Sequence, residues 1–208
     1  MIVFFDTDLA RVFRVKINGY LWRVIVCMKR FYETEAEFEE FYVKLKLTMC
    51  PYCKVRGCLI LHGYLYGYCE DGMSTIKRGH RIYCSNRNRK KGCGRTFSIL
   101  LTVFIKNFII SANTLWRFLE KISEEKTVVR AWRESGSPIG QSSIYRLFRR
   151  FSDQQVRIRS YLTRIKDPPG LKHITSAVVQ TILHLNSVFK QSSCPVAQFQ
   201  HYFQASFL

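Results

Sequence analysis

The pair Cys50-Pro51-Tyr52-Cys53, answered later by Cys84-Ser85-Asn86-Arg87-Asn88-Arg89-Lys90-Lys91-Gly92-Cys93-Gly94, decides how this chain is read. The thiolate is the metal-binding form of cysteine. Four of them about 2.3 Å from a zinc ion make a closed tetrahedral site with no open coordination position, so such a metal holds a fold together and does no chemistry. The spacing predicts one structural Zn2+ on Cys50, Cys53, Cys84 and Cys93. The first knuckle is regular, whereas the second has eight residues between its cysteines, and four of these, Arg87, Arg89, Lys90 and Lys91, are basic. That concentration of charge resists burial and suits phosphate contact. Cys58, His62 and His80 stand as alternative ligands, and four unligated core thiols with chance spacing is the competing reading. A redox role for Cys-x-x-Cys finds no βαβ pattern around it.

Working outward, the composition fits a folded, strongly basic protein. The chain has 208 residues, 47% apolar and 14% aromatic, enough for real cores. Lys+Arg number 33 against 15 Asp+Glu, a formal charge of +18. That excess points to a phosphate-rich partner, with an anionic membrane surface as competitor. The longest apolar run, Ile99 to Ile105, is broken by Thr102 and stopped by Lys106, far short of a spanning helix. The start, Met1-Ile2-Val3-Phe4-Phe5-Asp6-Thr7-Asp8, carries acids where a secretory signal carries a basic end, which predicts a reducing cytoplasm, or the nucleoid if the chain binds DNA. In that compartment Cys27, Cys58, Cys69 and Cys194 are expected as buried free thiols rather than disulfides.

The charge is localised. Residues 1–49, 50–100, 101–170 and 171–208 carry +1, +8, +7 and +2. Before the cysteines, Val12–Ile17, Asn18-Gly19 and Tyr20–Val26 predict a β-hairpin on a type I′ turn, one face on a core. Thr34-x-x-Glu37 caps an expected acidic helix to about Val43. Its acids (Glu33, Glu35, Glu37, Glu39, Glu40) read as a solvated face or as a cation site. Short strands, Cys58–Tyr68 and Arg81–Cys84, are expected inside the cysteine module, around Glu70-Asp71-Gly72. After it the pattern turns helical: Ser111 or Asn113 to Glu124, Lys126–Glu134, Ser142 or Ser143 to Phe151, and Asp153–Ile165, ended by the linker Asp167-Pro168-Pro169-Gly170. Two further helices, Ile174–Phe189 and Val196–Phe203, complete the chain. The expected class is α+β and mostly helical, divided into a hairpin–helix segment (1–49), a zinc ribbon (50–98), a helical region (99–167) and a linker with C-terminal helices (168–208).

The run Arg81-Ile82-Tyr83-Cys84-Ser85-Asn86 … Gly92-Cys93-Gly94-Arg95-Thr96-Phe97-Ser98 resembles the zinc-ribbon signature at the front of many bacterial insertion-sequence transposases, and more distantly the Ogr-type phage late-gene activators. The resemblance covers residues 50–98 and, with the helices that follow, extends to residue 151. It implies that the ribbon helps bind DNA and that Cys50, Cys53, Cys84 and Cys93 coordinate zinc; the wide second knuckle departs from the pattern at Cys93.

Gly136 to Phe151 reads as the turn and second helix of a helix-turn-helix, with Val128–Arg133 in the first. Ile144, Leu147, Phe148 and Phe151 fall at i, i+3, i+4, i+7, facing a core. Ser143, Tyr145, Arg146, Arg149 and Arg150 take the remaining surface, as a recognition helix requires. A solvated basic face is the alternative. Trp116 with Phe118 and Leu119 reads as core.

Strand transfer needs carboxylates on a sheet to hold two metal ions. Beyond the ribbon the only acids are Glu120, Glu124, Glu125, Glu134, Asp153 and Asp167, all on expected helices or at their ends. The chain is therefore expected to be no enzyme but a zinc-dependent DNA-binding protein of a mobile element, transposase-like or accessory, without the catalytic domain. The contacts to double-stranded DNA are expected from Arg87, Arg89, Lys90, Lys91 and Arg95 and from Ser143, Tyr145, Arg146, Arg149 and Arg150. The alternatives are a transcriptional regulator resembling the phage activators, and a ribbon module for RNA or protein. The C-terminal aromatics Phe199, Tyr202, Phe203 and Phe207 are a candidate docking surface for a recombinase or transposase subunit.

Overall fold

The computed structural model describes residues 13–17 and 20–24 as backbone, and residues 28–170 except 125, 138, 141 and 142, and 176–208, in full. The chain is α+β and divides into two compact units. The first unit comprises residues up to Arg30, Thr34–Tyr64 and His80–Ile99; the second comprises Phe31–Glu33, Leu65–Gly79 and Leu100–Leu208.

In the first unit, β1 (Phe13–Ile17) and β2 (Tyr20–Val24) form an antiparallel ribbon with Phe13 opposite Val24 and Ile17 opposite Tyr20. The Asn18-Gly19 turn and the expected core face of this ribbon lie outside the described residues. Helix α1 (Glu35–Val43) starts at Thr34, whose hydroxyl accepts the Glu37 N–H at 3.1 Å, with Glu35 and Glu37 in the first turn, where acids complement the helix dipole. Strand β3, the short Phe31–Tyr32, belongs to the second unit. The strands β4 (Leu59–Tyr68) and β5 (Thr75–Cys84) form a hairpin of ten-residue arms, and β6 (Thr96–Leu101) follows. The sheet order is β3-β6-β5-β4, with β3 parallel to β6. The second arm is longer than Arg81–Cys84: Thr75–His80 lacks hydrophobic alternation, but the turn after β4, closed by the Cys69 N–H on the Ser74 carbonyl at 2.8 Å, zips the chain from Thr75 onward.

The second unit is built on helices α2 (Ala112–Ser123), α3 (Val128–Glu134), α4 (Ile144–Leu162), α5 (Ala177–Val188) and α6 (Pro195–Phe203). Ser111, Thr127 and Ser176 cap α2, α3 and α5 through side-chain oxygens. Pro195 occupies the first turn of α6, where its missing N–H costs nothing. Leu115, Phe118, Leu119, Ile144, Phe151, Ile158, Leu162, Leu185, Val196, Phe199 and Phe207 are fully buried in one core. Each such side chain contributes about 1.5–3 kcal/mol by leaving water.

Two expectations are corrected here. The two helices expected over Ser142–Phe151 and Asp153–Ile165 are one continuous helix, α4, because the buried stripe Ile144, Leu147, Phe151, Gln155, Ile158, Leu162 runs through the polar Ser152-Asp153-Gln154 without losing its period. The Pro-Pro-Gly segment lies between α4 and α5, and both helices contribute to one hydrophobic core. Of the C-terminal aromatics expected as a docking surface, Phe199 and Phe207 are fully buried, Phe199 edge-on to Tyr161 and Phe207 stacked on Phe151, and Phe203 packs against the same cluster. Among the four, Tyr202 remains substantially exposed.

Candidate metal centre and nucleic-acid interface

The first knuckle is made by the backbone. The Cys50 N–H donates to the Val55 carbonyl at 3.1 Å and the Lys54 N–H to the Cys50 carbonyl at 3.0 Å, with Lys54 in the left-handed region at φ 63°. A bridge between Met49 and Arg56 closes the turn. The second knuckle starts where β5 ends. The Cys84 N–H donates to the Arg95 carbonyl and the Gly94 N–H to the Cys84 carbonyl, both at 2.9 Å, and Gly94 adopts φ +70°, a conformation suited to glycine. The Gly92 N–H donates to the Ser85 carbonyl at 3.1 Å. That bond explains the wide spacing. Ser85 and Gly92 serve as the two residues of an ordinary knuckle, and Asn86–Lys91 is a loop inserted between them with its neck tied shut.

The two turns bring the sulfurs of Cys50, Cys53, Cys84 and Cys93 within 4.8 Å of one another. Cys50 Sγ lies 3.8 Å from Cys93 Sγ and Cys53 Sγ 3.7 Å from Cys84 Sγ. A tetrahedron with metal–sulfur bonds of 2.3 Å has edges of about 3.8 Å. The donor set therefore fits one metal ion. Two backbone donors already point at the sulfurs, Tyr52 N–H at Cys50 Sγ (3.4 Å) and Cys93 N–H at Cys84 Sγ (3.3 Å), which favours thiolate over thiol. Burial pushes the Cys50 and Cys84 thiols up. At Cys53 desolvation also acts upward, yet the Val55 N–H and the neighbouring thiols draw it down to about 7. Four thiolates at these separations repel strongly, and a divalent cation at their centre removes that conflict.

The alternative ligands lie outside this group. Cys58 is buried and gives its carbonyl to the Ser85 N–H at 2.7 Å, bracing the second knuckle from behind. His62 sits beside the Tyr83 ring. His80 is buried, hydrogen-bonded to Glu35 Oε2 at 2.8 Å and stacked on Phe38 at 3.4 Å between ring centroids. Two acids of the α1 cluster are likewise engaged by protein partners: Glu35 by His80, Glu37 by Lys29 at 2.6 Å. Glu33, in the second unit, meets Gln198 at 2.7 Å and His201 at 3.3 Å.

No protein-family model, curated protein or solved structure matches the chain.

The inserted loop has a defined shape. Tyr83 Oη donates to Asn86 Oδ1 at 2.6 Å and the Arg87 N–H to Ser85 Oγ at 3.3 Å. The Lys90 N–H closes a turn on the Arg87 carbonyl at 3.1 Å, with Asn88 (φ 52°) and Arg89 (φ 62°) both left-handed, as a type I′ turn requires. Asparagine accepts that conformation readily; arginine does so at a cost of about 1–2 kcal/mol. Arg87, Arg89 and Lys91 are exposed and Lys90 half-buried, and among the described residues no carboxylate lies within ion-pair distance of any of them. The helical cations behave differently. Lys121 meets Glu124 at 2.8 Å, Arg130 meets Glu134 at 2.9 Å, and Lys126 meets both carboxylates. Arg95 lies over the Tyr52 ring, 5.3 Å from its centroid, at the edge of the metal site.

In the second unit, α4 sorts its residues as expected. Ile144, Leu147 and Phe151 are buried, while Tyr145, Arg146, Arg149 and Arg150 are exposed and Ser143, at the N-cap, is half-buried without a capping bond. Helix α3 packs on α4, but residues 135–143 connect them, longer than the three- or four-residue turn of a helix-turn-helix. That connection is held by Trp132 Nε1 donating to the Ile139 carbonyl at 2.9 Å.

Two features escaped sequence reasoning. Glu70, in the β4–β5 turn, accepts from the Ser111 N–H and from Thr114 Oγ1 (2.8 Å), capping α2 from a distant segment. Tyr64, Tyr66 and Tyr68 project from β4 into solvent; their alternation in the sequence was the available signal. Among the described residues no helix is long and apolar enough to cross a membrane.

Proposed function

We propose that this chain is a zinc-dependent DNA-binding protein that holds duplex DNA through the loop Asn86–Lys91 and the arginine face of α4. The observation that carries the reading is the loop itself: four cations with no acidic partner among the described residues, on a turn tied at its neck and flanked by Cys84 and Cys93. A solvated basic face needs neither a fixed conformation nor a left-handed arginine; a phosphate contact benefits from both. Zinc is the metal that four thiolates at tetrahedral separations select, and bound there it would supply folding energy rather than catalysis. Cys50, Cys53, Cys84 and Cys93 would hold it, Arg87, Arg89, Lys90, Lys91 and Arg95 would meet the backbone, and Ser143, Tyr145, Arg146, Arg149 and Arg150 would lie along a groove.

The resemblance of Arg81–Ser98 to transposase zinc ribbons is what supports reading the protein as a binding component of a mobile element.

Duplex binding measured against salt tests the proposal. If the four loop cations and Arg146, Arg149 and Arg150 each neutralise a phosphate, log K falls against log[salt] with a slope of about −6, and Arg146→Glu with Arg149→Glu weakens binding while the fold persists. Binding that is absent, or insensitive to salt, refutes it.

A further inference from the structure

The four sulfurs of the metal centre, all within the first unit, include two couples that each reach from one knuckle to the other. Cys50 Sγ lies 3.8 Å from Cys93 Sγ, and Cys53 Sγ lies 3.7 Å from Cys84 Sγ. The couples share a second property. Cys50 and Cys84 are fully buried, whereas Cys93 is exposed and Cys53 half-buried, so each couple sets a sulfur that solvent reaches against one that it does not. A closed structural metal site requires four donors at tetrahedral separations and gains nothing from an accessible sulfur in each pair. Oxidative chemistry requires that division, because one thiolate must meet the oxidant and a second must wait beside it.

We propose that the centre is also a modification site, at which hydrogen peroxide oxidises Cys93 and Cys53, Cys50 and Cys84 resolve them as disulfides, and the metal is given up. This rests on the metal assignment above and not on DNA binding. Cysteines that hold a metal are thiolates, the form that attacks a peroxide. The Cys93 sulfur takes one oxygen of the peroxide: an S–O bond forms, the O–O bond breaks, and the other oxygen leaves as hydroxide, which a solvent proton converts to water. That sulfur has passed two electrons to the peroxide. The Cys50 thiolate then attacks the sulfenic sulfur, an S–S bond forms, the S–O bond breaks, and a second hydroxide leaves and is protonated. Cys53 and Cys84 repeat both steps with a second peroxide. Four thiolates have become two disulfides, two peroxides have become four waters, and the cation has lost every donor.

The knuckles are built to stay in place during this exchange. Bonds from the Cys50 N–H to the Val55 carbonyl (3.1 Å), the Cys84 N–H to the Arg95 carbonyl (2.9 Å) and the Ser85 N–H to the Cys58 carbonyl (2.7 Å) join backbone to backbone and make no call on the sulfurs. Each couple closes by about 1.7 Å to reach disulfide length. The two links are nested, the one from 50 to 93 enclosing the one from 53 to 84, and they join the knuckles in place of the metal. Loops of that length restrict the unfolded chain more than a link within one knuckle does, so the module outlasts the loss of its metal and takes it up again on reduction. Cys58 and Cys194, buried outside the group, keep their thiols.

The test uses the full-length, reduced, zinc-loaded protein treated with hydrogen peroxide beside a chromogenic chelator. About one zinc per chain is released, in step with the loss of four thiols and the consumption of about two peroxides. Digestion without reduction, followed by mass spectrometry, finds one disulfide between Cys50 and Cys93 and another between Cys53 and Cys84. A brief exposure with a diketone that traps sulfenic acids labels Cys53 and Cys93, and a dithiol reductant with added zinc restores the metal. Zinc retained at peroxide levels that oxidise free cysteine overturns the proposal, as do release through sulfinic acids, disulfides within a knuckle, or label on Cys50 and Cys84 instead. Every readout is taken on the wild type, so no variant has to fold. A reduced protein that binds no zinc refutes the metal assignment and this proposal with it, whereas one that binds zinc and withstands peroxide refutes this proposal alone.

Discussion

A methyl group at Gly92 is the sharpest perturbation of the metal centre. A Cβ there would sit 2.2 Å from the Ser85 carbonyl oxygen, 2.7 Å from the Ser85 carbonyl carbon and 2.8 Å from Cys84 Sγ. The first two atoms are backbone and cannot swing aside, so the neck of the inserted loop must open. Opening it sacrifices the Gly92 N–H to Ser85 hydrogen bond, about 1 kcal/mol, and the residual crowding adds about 1–3 kcal/mol. The penalty falls on the metal-bound state, because without metal the loop is free to relax. Gly92→Ala is therefore expected to weaken metal binding by about 30- to 1,000-fold, at about 1.4 kcal/mol per factor of ten. Cobalt(II) titration, read from its thiolate charge-transfer band and competed with a chelating dye, measures this directly. Gly140→Ala is the control, since a Cβ at that position meets nothing within 4 Å. If Gly92→Ala binds metal within about threefold of wild type, Cys84-Ser85 and Gly92-Cys93 do not form one knuckle and the reading of the second half-site is wrong.

Much of this site was legible because its signals are local. Cys50 and Cys53 are separated by two residues, and Thr34 precedes Glu37 by three; each spacing specifies its own geometry, and the structure reproduces both. What the sequence hid depends on distant chain. Gln155 looks like part of a polar break between two helices until Thr181 Oγ1 is found 3.5 Å from its Oε1, which makes a glutamine acceptable in the buried stripe of α4. Phe199 and Phe207 look like an adhesive surface because composition cannot say whether an aromatic's partner is on another chain or in its own core. Glu70 reads as a turn residue, and its role at the N-terminus of α2 requires knowing that the hairpin tip reaches Ser111. The inserted loop was visible as an anomaly of spacing, yet the neck bond between Ser85 and Gly92 that makes it regular appears only in three dimensions.

Three further outcomes follow from the same contacts. Metal affinity should fall steeply with acidity: burial holds Cys50 and Cys84 protonated at neutral pH, each must lose its proton to bind, and so apparent affinity drops by at least about 100-fold between pH 7 and 6, more once Cys53, near 7, also protonates; a slope below tenfold per unit contradicts the four-thiolate assignment. Gln200→Ala should destabilise the second unit by about 2–4 kcal/mol, because its buried amide donates to the Thr102 and Phe104 carbonyls (2.8 and 3.1 Å) and accepts the Phe207 N–H (3.3 Å); urea unfolding followed by tryptophan fluorescence checks this, and a loss under about 1 kcal/mol argues against it. The last outcome separates a binding loop from a merely solvated one. Arg89 occupies a left-handed backbone that glycine adopts freely, so Arg89→Gly should relieve about 1 kcal/mol of strain, offset in part by the greater freedom of glycine in the unfolded chain. It also removes one of the four loop cations. If the loop meets phosphate, thermal stability holds or rises while duplex affinity falls and the salt slope shrinks by about 0.9. A loop that serves only solubility predicts the same stability with no change in binding. An arginine kept in a conformation that opposes it, with no acidic partner among the described residues, is accounted for by a partner on another molecule, and stability and affinity moving in opposite directions is the signature that account requires.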